Sequence, residues 1–146
     1  MTDRATESIV VNATPETLYR VVTDFEHYPD WVSDLKRIEV LETDASGRPI
    51  EVEFRAAAFG RSTTYALHYD YDRAPEALAW HQTHGDLTSK LNGQYRFVSQ
   101  GEGTLLAYEL EVDLMVPIPA FVKARAAYRI QRLALRELKA RAESLS

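Results

Sequence analysis

The chain has 146 residues, 45% of them apolar and 27% charged, with a formal net charge of -5 and no cysteine. That is the composition of a globular domain long enough to bury a core, and it excludes a disulfide framework and any cysteine-ligated metal site. The negative balance also argues against a nucleic-acid partner, because holding a phosphate backbone takes a basic face. The opening residues MTDRATES are polar and lack an apolar signal region, and no run is long enough to cross a bilayer. The expectation is one domain over residues 1–146, soluble and cytoplasmic, without stable membrane insertion.

Glu7 to Asn12 reads as a β-strand rich in branched residues. Thr14, Pro15 and Glu16 then form a helix start, with a hydroxyl N-cap, proline in the first turn and an acid at the positive dipole end. Leu18, Val21, Val22 and Phe25 follow at helical spacing and carry this helix to about Asp24. A second helical piece is expected in HYPDWVSDL, where Tyr28, Trp31, Val32 and Leu35 gather on one side.

From Lys36 the period switches to two. Ile38 and Val40 make one strand face and are followed by the turn residues Asp44 to Gly47. Ile50, Val52, Phe54, Ala56 and Ala58 make the next, ending at Phe59-Gly60. Thr63, Tyr65, Leu67, Tyr69 and Tyr71 follow, then the turn Asp72-Arg73-Ala74-Pro75. Leu78, Trp80, Gln82 and His84 share a face before Gly85-Asp86; Leu91, Gly93, Tyr95 and Phe97 share another. Leu106, Tyr108, Leu110, Val112, Leu114 and Val116 close the series, backed by the outward acids Glu109, Glu111 and Asp113. Short connections make the six strands an antiparallel meander with one apolar face.

Pro117 to Ser146 reads as one long helix. Phe121, Val122, Ala126, Ala127, Tyr128, Ile130, Leu133, Ala134, Leu135 and Leu138 fill more than half its circumference, too wide an arc for a flat support, and Arg125, Arg129, Arg132, Arg136 and Lys139 share the rest. The sheet is therefore expected to curl around this helix. The predicted class is α+β: a curved antiparallel sheet of about seven strands around a C-terminal helix, with two short helices after the first strand.

This order of elements, the stretch SIVVNATPETLYRVVTDFEHYPDWVSDLKRIEVLE with its Tyr28-Pro29-Asp30-Trp31 patch, the strand GEGTLLAYELEVDL and the helix VPIPAFVKARAAYRIQRLALRELKARAES together resemble the START-like (SRPBCC) superfamily. The resemblance is to its polyketide cyclase/dehydrase branch of bacterial helix-grip proteins. It implies a cavity between sheet and closing helix that takes lipids, sterols, polyketides, quinones or hormones. The aromatase/cyclase members use pocket tyrosines and an arginine; their aromatic pocket position matches Tyr65, the arginine falls at Tyr69, and a tyrosine of their second helix falls at Leu35.

Five tyrosines on inner faces, Tyr65, Tyr69, Tyr71, Tyr95 and Tyr108, are unusual for a dry core, since a buried phenol needs a hydrogen-bond partner. Either their hydroxyls snorkel to a rim or they line a wet cavity. In the second case the wall comprises Tyr28, Trp31, Val32, Leu35, Phe54, Leu67, Trp80, Gln82, Leu91, Leu110, Val112 and Phe121 beside Tyr65, Tyr69, Tyr95 and Tyr108. Of the four histidines, His27 precedes the proline break, and His68 and His81 face outward. His84 shares the face of Trp80 and Gln82 but sits beside a turn and reads first as a rim residue. No zinc, serine-nucleophile, phosphate-loop or dinucleotide motif is present, and no metal or cofactor is expected.

Three functions remain open. The first is binding or carriage of a hydrophobic small molecule such as a lipid, isoprenoid, quinone or polyketide, which needs only the cavity. The second is polyketide aromatase/cyclase or dehydratase activity, with Tyr65, Tyr69, Gln82 and Tyr95 as candidate catalytic residues. The third is weak docking on an anionic surface or protein through Arg125, Arg129, Arg132 and Arg136. Monomer and dimer are both compatible with the sequence.

Overall fold

The computed structural model describes residues 3–58, 60–115 and 117–145, with the side chains of Asp3 and Ala58 left out of the description. Seven strands form one antiparallel sheet: β1 (Asp3–Val11), β2 (Leu35–Thr43), β3 (Pro49–Ala58), β4 (Arg61–Asp70), β5 (Ala77–Gly85), β6 (Thr88–Gln100) and β7 (Gly103–Leu114). Their spatial order is β1-β7-β6-β5-β4-β3-β2. The meander is thus continuous from β2 to β7, and only β1 joins out of sequence, on the far edge beside β7. Helix α1 (Pro15–Thr23) and a 3₁₀ turn (Phe25–Asp30) link β1 to β2, and α2 (Ala120–Ser144) ends the chain.

The local signals act as elementary chemistry requires. Thr14 Oγ1 accepts the amide N–H of Thr17 at the start of α1, and α1 turns Leu18, Val21 and Val22 inward. Pro29 lies inside the 3₁₀ turn, which is shorter than the expected second helix. The Tyr28 hydroxyl donates to the Val22 carbonyl at 2.5 Å and binds that turn to the end of α1. β1 starts at Asp3, well before Glu7. Its first half, DRATES, is polar and gives no strand signal of its own, but every residue from Asp3 to Val11 is paired with β7. Phe59 and Val116, expected at strand ends, lie outside the described residues.

α2 begins at Ala120, with Pro119 at the N-cap position and Pro117 outside the helix. Its wrapping is narrower than its apolar arc suggests. Ala127, Gln131, Leu135, Leu138 and Ala142 are buried, whereas Phe121 is 68% exposed, Tyr128 52% and Val122 37%. At 100° per residue these three fall in the same sector as Arg125, Arg129 and Arg136, which are exposed. Arg132, also in that sector, faces Glu7 at 3.9 Å. The reason is placement: α2 packs against β1, β7 and α1, while β2 to β5 stand off from it. Register shifts between β2 and β3, within the β4–β5 pairing and at the start of β6 interrupt the ladders, and such bulges add bend and twist. The sheet therefore closes on the helix along one side and leaves room along the other.

The outward acid row is more engaged than a bare solvated face. Glu109 accepts from Gln94 and Arg96, Glu111 faces Arg4 and Lys90, and Asp113 accepts from Lys123 of α2.

Candidate functional site

The room left between α2 and the standing-off strands is a cavity of about 240 Å³. A cavity needs only about 10–15 Å³ to hold a single water, so this space far exceeds a packing defect. Each wall follows from the pleat. β3 contributes Phe54 and Ala56, β4 contributes Thr63, Tyr65, Leu67 and Tyr69, and Trp80, Leu91, Tyr95 and Tyr108 come from β5, β6 and β7. The segment after α1 supplies Tyr28, Trp31, Val32 and Leu35, and α2 supplies Ile130, Leu133 and Ala134. The charged lining residues are Asp34 and Glu137. Asp34 is exposed and Glu137 half-buried. A Glu137 carboxylate oxygen accepts the Ser33 N–H at 3.2 Å, holding the segment before β2 against α2.

Aromatic rings form a continuous interior surface. Phe54 stacks on Tyr65 with ring centroids 5.2 Å apart. Trp80 lies 5.0 Å from Tyr95 and 5.8 Å from Tyr108, and Tyr95 and Tyr108 lie 4.8 Å apart. Trp80 lies over the backbone of its pairing partner Gly93: a Cβ there would come within 2.9 Å of the indole and 2.3 Å of the Glu109 carbonyl.

Among the described residues none hydrogen-bonds to the hydroxyls of Tyr65, Tyr69, Tyr95 or Tyr108. Yet the side-chain polar atom both sealed from solvent and unpartnered among those residues is Gln131 Oε1, not a phenol. The four hydroxyls are therefore open to the cavity. Burial pushes all four up from the ordinary phenol value, Tyr65 to about 12. They are neutral at physiological pH and present O–H donors rather than phenolate bases.

Several expected wall residues sit elsewhere. Leu110 and Val112 are packed core, 1% and 3% exposed, because the near side of the sheet is closed by α2. Phe121 projects from the first turn of α2 into solvent. Gln82 is used in structure: its Nε2 donates to the Thr88 carbonyl at 2.7 Å and its Oε1 accepts from the Thr88 hydroxyl, closing the β5–β6 turn. Tyr71 reaches the rim, its hydroxyl donating to the Pro49 carbonyl at 2.6 Å. His84 is exposed and opposes Ala66 on the outer face, because Thr83 is an extra residue between the Leu67–Gln82 and Ala66–His84 pairs. That bulge reverses the alternation, so His84 does not share the face of Trp80. Among the described residues no His, Asp and Glu group is placed to hold a metal ion.

The lining residues that strand patterning passed over are Asp34, Ala57, Leu87, Thr88 and the α2 set Ile130, Leu133, Ala134 and Glu137. The α2 set had a signal, since spacings of three and four place these residues on one helical face. Leu87 and Thr88 lie at a turn and had none.

A single curled sheet gripping a terminal helix, with an aromatic chamber on the side where the grip is loose, defines the class as α+β helix-grip. A family model described as polyketide cyclase / dehydrase and lipid transport matches residues 2–143. The chain belongs to this START-like family. Among solved structures, a START superfamily protein from Mycobacterium smegmatis is 26% identical, with 98% of this chain and 99% of that one covered and a TM-score of 0.93. The Zhui aromatase/cyclase from Streptomyces sp. R1128 is 17% identical over 98% and 94% of the two chains, with a TM-score of 0.85. A Thermus thermophilus protein is 21% identical over 100% and 99% of the two chains, with a TM-score of 0.74. The last two likenesses speak to fold alone.

Proposed function

We propose that this protein binds or carries a hydrophobic small molecule in the chamber between the sheet and α2. The observation that carries the reading is the chamber itself: about 240 Å³ of space walled by aromatic and aliphatic side chains and dotted with open hydroxyls, the mixture that suits a small apolar ligand with a few polar atoms. About 150 Å³ holds one benzene ring, so there is space for a fused two-ring molecule or a short isoprenoid segment.

Polyketide cyclisation finds less support. Its chemistry needs a group that changes protonation near neutrality and a cation or donor cluster for the enolate. The described lining has no histidine, lysine or arginine, and Gln82 is committed to Thr88. The tyrosines serve equally as contacts for a carried ligand.

Native mass spectrometry of the purified chain, followed by organic extraction, tests the proposal. A copurifying small mass, or saturable uptake of the neutral dye Nile red, is expected. A chain that arrives empty and takes up no dye rejects it.

A further inference from the structure

We infer that the chamber selects uncharged ligands that carry hydrogen-bond acceptors, such as ring ketones, and excludes carboxylates and phosphates. The inference rests on the proposed ligand chamber and adds to it the chemical class of its occupant.

Three observations carry it. First, the described lining contains no lysine, arginine or histidine, so an anion that entered would lose its hydration with no opposite charge to replace it. Second, Arg125, Arg129, Arg132 and Arg136 lie on the side of α2 away from the chamber, and Arg141, one turn past Glu137, lines a separate small recess with Asp24 and His27. The nearer basic groups are engaged outside it, Lys36 donating to the Ser62 hydroxyl at 2.8 Å and Arg55 to the Thr64 hydroxyl at 2.7 Å. The charged lining residues Asp34 and Glu137 are acids, which repel an anion where α2 meets the segment before β2. Third, the polar groups open to the interior include the hydroxyls of Tyr65, Tyr69, Tyr95 and Tyr108. Their burial keeps them protonated, so each offers an O–H to a ligand oxygen. Placed among rings, such donors suit a carbonyl carried on a flat apolar body. A fatty acid, held by its carboxylate, finds no counterpart.

The test uses three molecules of one shape, 2-acetylnaphthalene, 2-ethylnaphthalene and 2-naphthoate, titrated into the full chain at pH 7.5 by calorimetry. Trp31 and Trp80, the chain's two tryptophans, both line the chamber, so their fluorescence reports occupancy independently. The ketone is expected to bind at least tenfold more tightly than the hydrocarbon and than the carboxylate. Among Tyr65→Phe, Tyr69→Phe, Tyr95→Phe and Tyr108→Phe, at least one lowers ketone affinity fivefold or more and leaves the hydrocarbon unchanged. A carboxylate within tenfold of the ketone, a ketone less than tenfold better than the hydrocarbon, or four silent hydroxyl deletions overturns the selectivity while an apolar chamber stands. Failure of all three molecules to bind overturns the chamber reading and the selectivity with it.

Discussion

Gly93 shows how one residue shapes the chamber. Its lack of a side chain lets the Trp80 ring lie against the β6 backbone, where it joins Tyr95 and Tyr108 in one wall. Gly93→Ala puts a methyl group within 2.9 Å of the indole and 2.3 Å of a carbonyl. Overpacking of this kind costs about 1–3 kcal/mol. The expected outcome is a lower urea midpoint together with altered tryptophan emission; an unchanged spectrum would show that the ring does not depend on the gap. Alternation in the sequence put Gly93 on the inner face, but it could not say why a glycine stands there, because the reason is a ring on the neighbouring strand.

At the scale of elements, the position of α2 decides how much chamber remains. Gln131, fully buried on the helix, donates through Nε2 to the Ala5 carbonyl at 3.0 Å and the Tyr108 carbonyl at 2.9 Å, tying α2 to β1 and β7 at once. Each such bond contributes about 1 kcal/mol net. Gln131→Leu is therefore expected to destabilise the protein by about 1–2 kcal/mol in equilibrium urea unfolding, and to weaken Nile red uptake as the helix loosens. Stability equal to the parent chain would mean that apolar packing alone fixes the helix. Helical periodicity marked the apolar neighbours of Gln131 and passed over Gln131 itself, since a polar residue on a buried face declares its purpose only when its partners, 126 and 23 residues away, come into contact.

For the whole molecule, several carboxylates join elements distant in the chain and are held below their ordinary values. Asp86 is lowered chiefly by the Thr63 hydroxyl, then by the Thr64 N–H, linking β4 to the β5–β6 turn. Glu109 is lowered chiefly by the Gln94 amide and further by Arg96, across β6 and β7. Glu143 of α2 is lowered by Lys139 and by the Asn12 N–H after β1. A carboxyl whose folded value is depressed adds stability above its unfolded value, 3.8 for Asp and 4.5 for Glu here, and loses it as pH falls through the folded value. The melting temperature is thus expected to hold down to about pH 5 and to fall steadily below it. His27, raised chiefly by its hydrogen bond to Asp24, has the opposite sign: its contribution is present below 6.5 and fades as pH rises through the raised value. A melting temperature flat from pH 5 to pH 3 would show that these links add nothing.

The sequence by itself determined the elements and their order, because short-range patterns encode them. Period-two alternation from Ile38 to Leu114 wrote the meander, Thr14-Pro15 opened α1, and the breadth of the apolar arc on the last helix required a curved partner. Only tertiary structure decided where the curve closes. The bulge at Thr83 turned His84 outward, full pairing with β7 made a strand of the polar residues before Glu7, and one-sided packing of α2 buried Leu110 and Val112 while exposing Phe121 and Tyr128. Each is a contact between segments far apart in the chain, settled by which surfaces meet and not by local preference. The chamber is such a result, since a void is a property of walls assembled from several strands and a helix and belongs to no one of them.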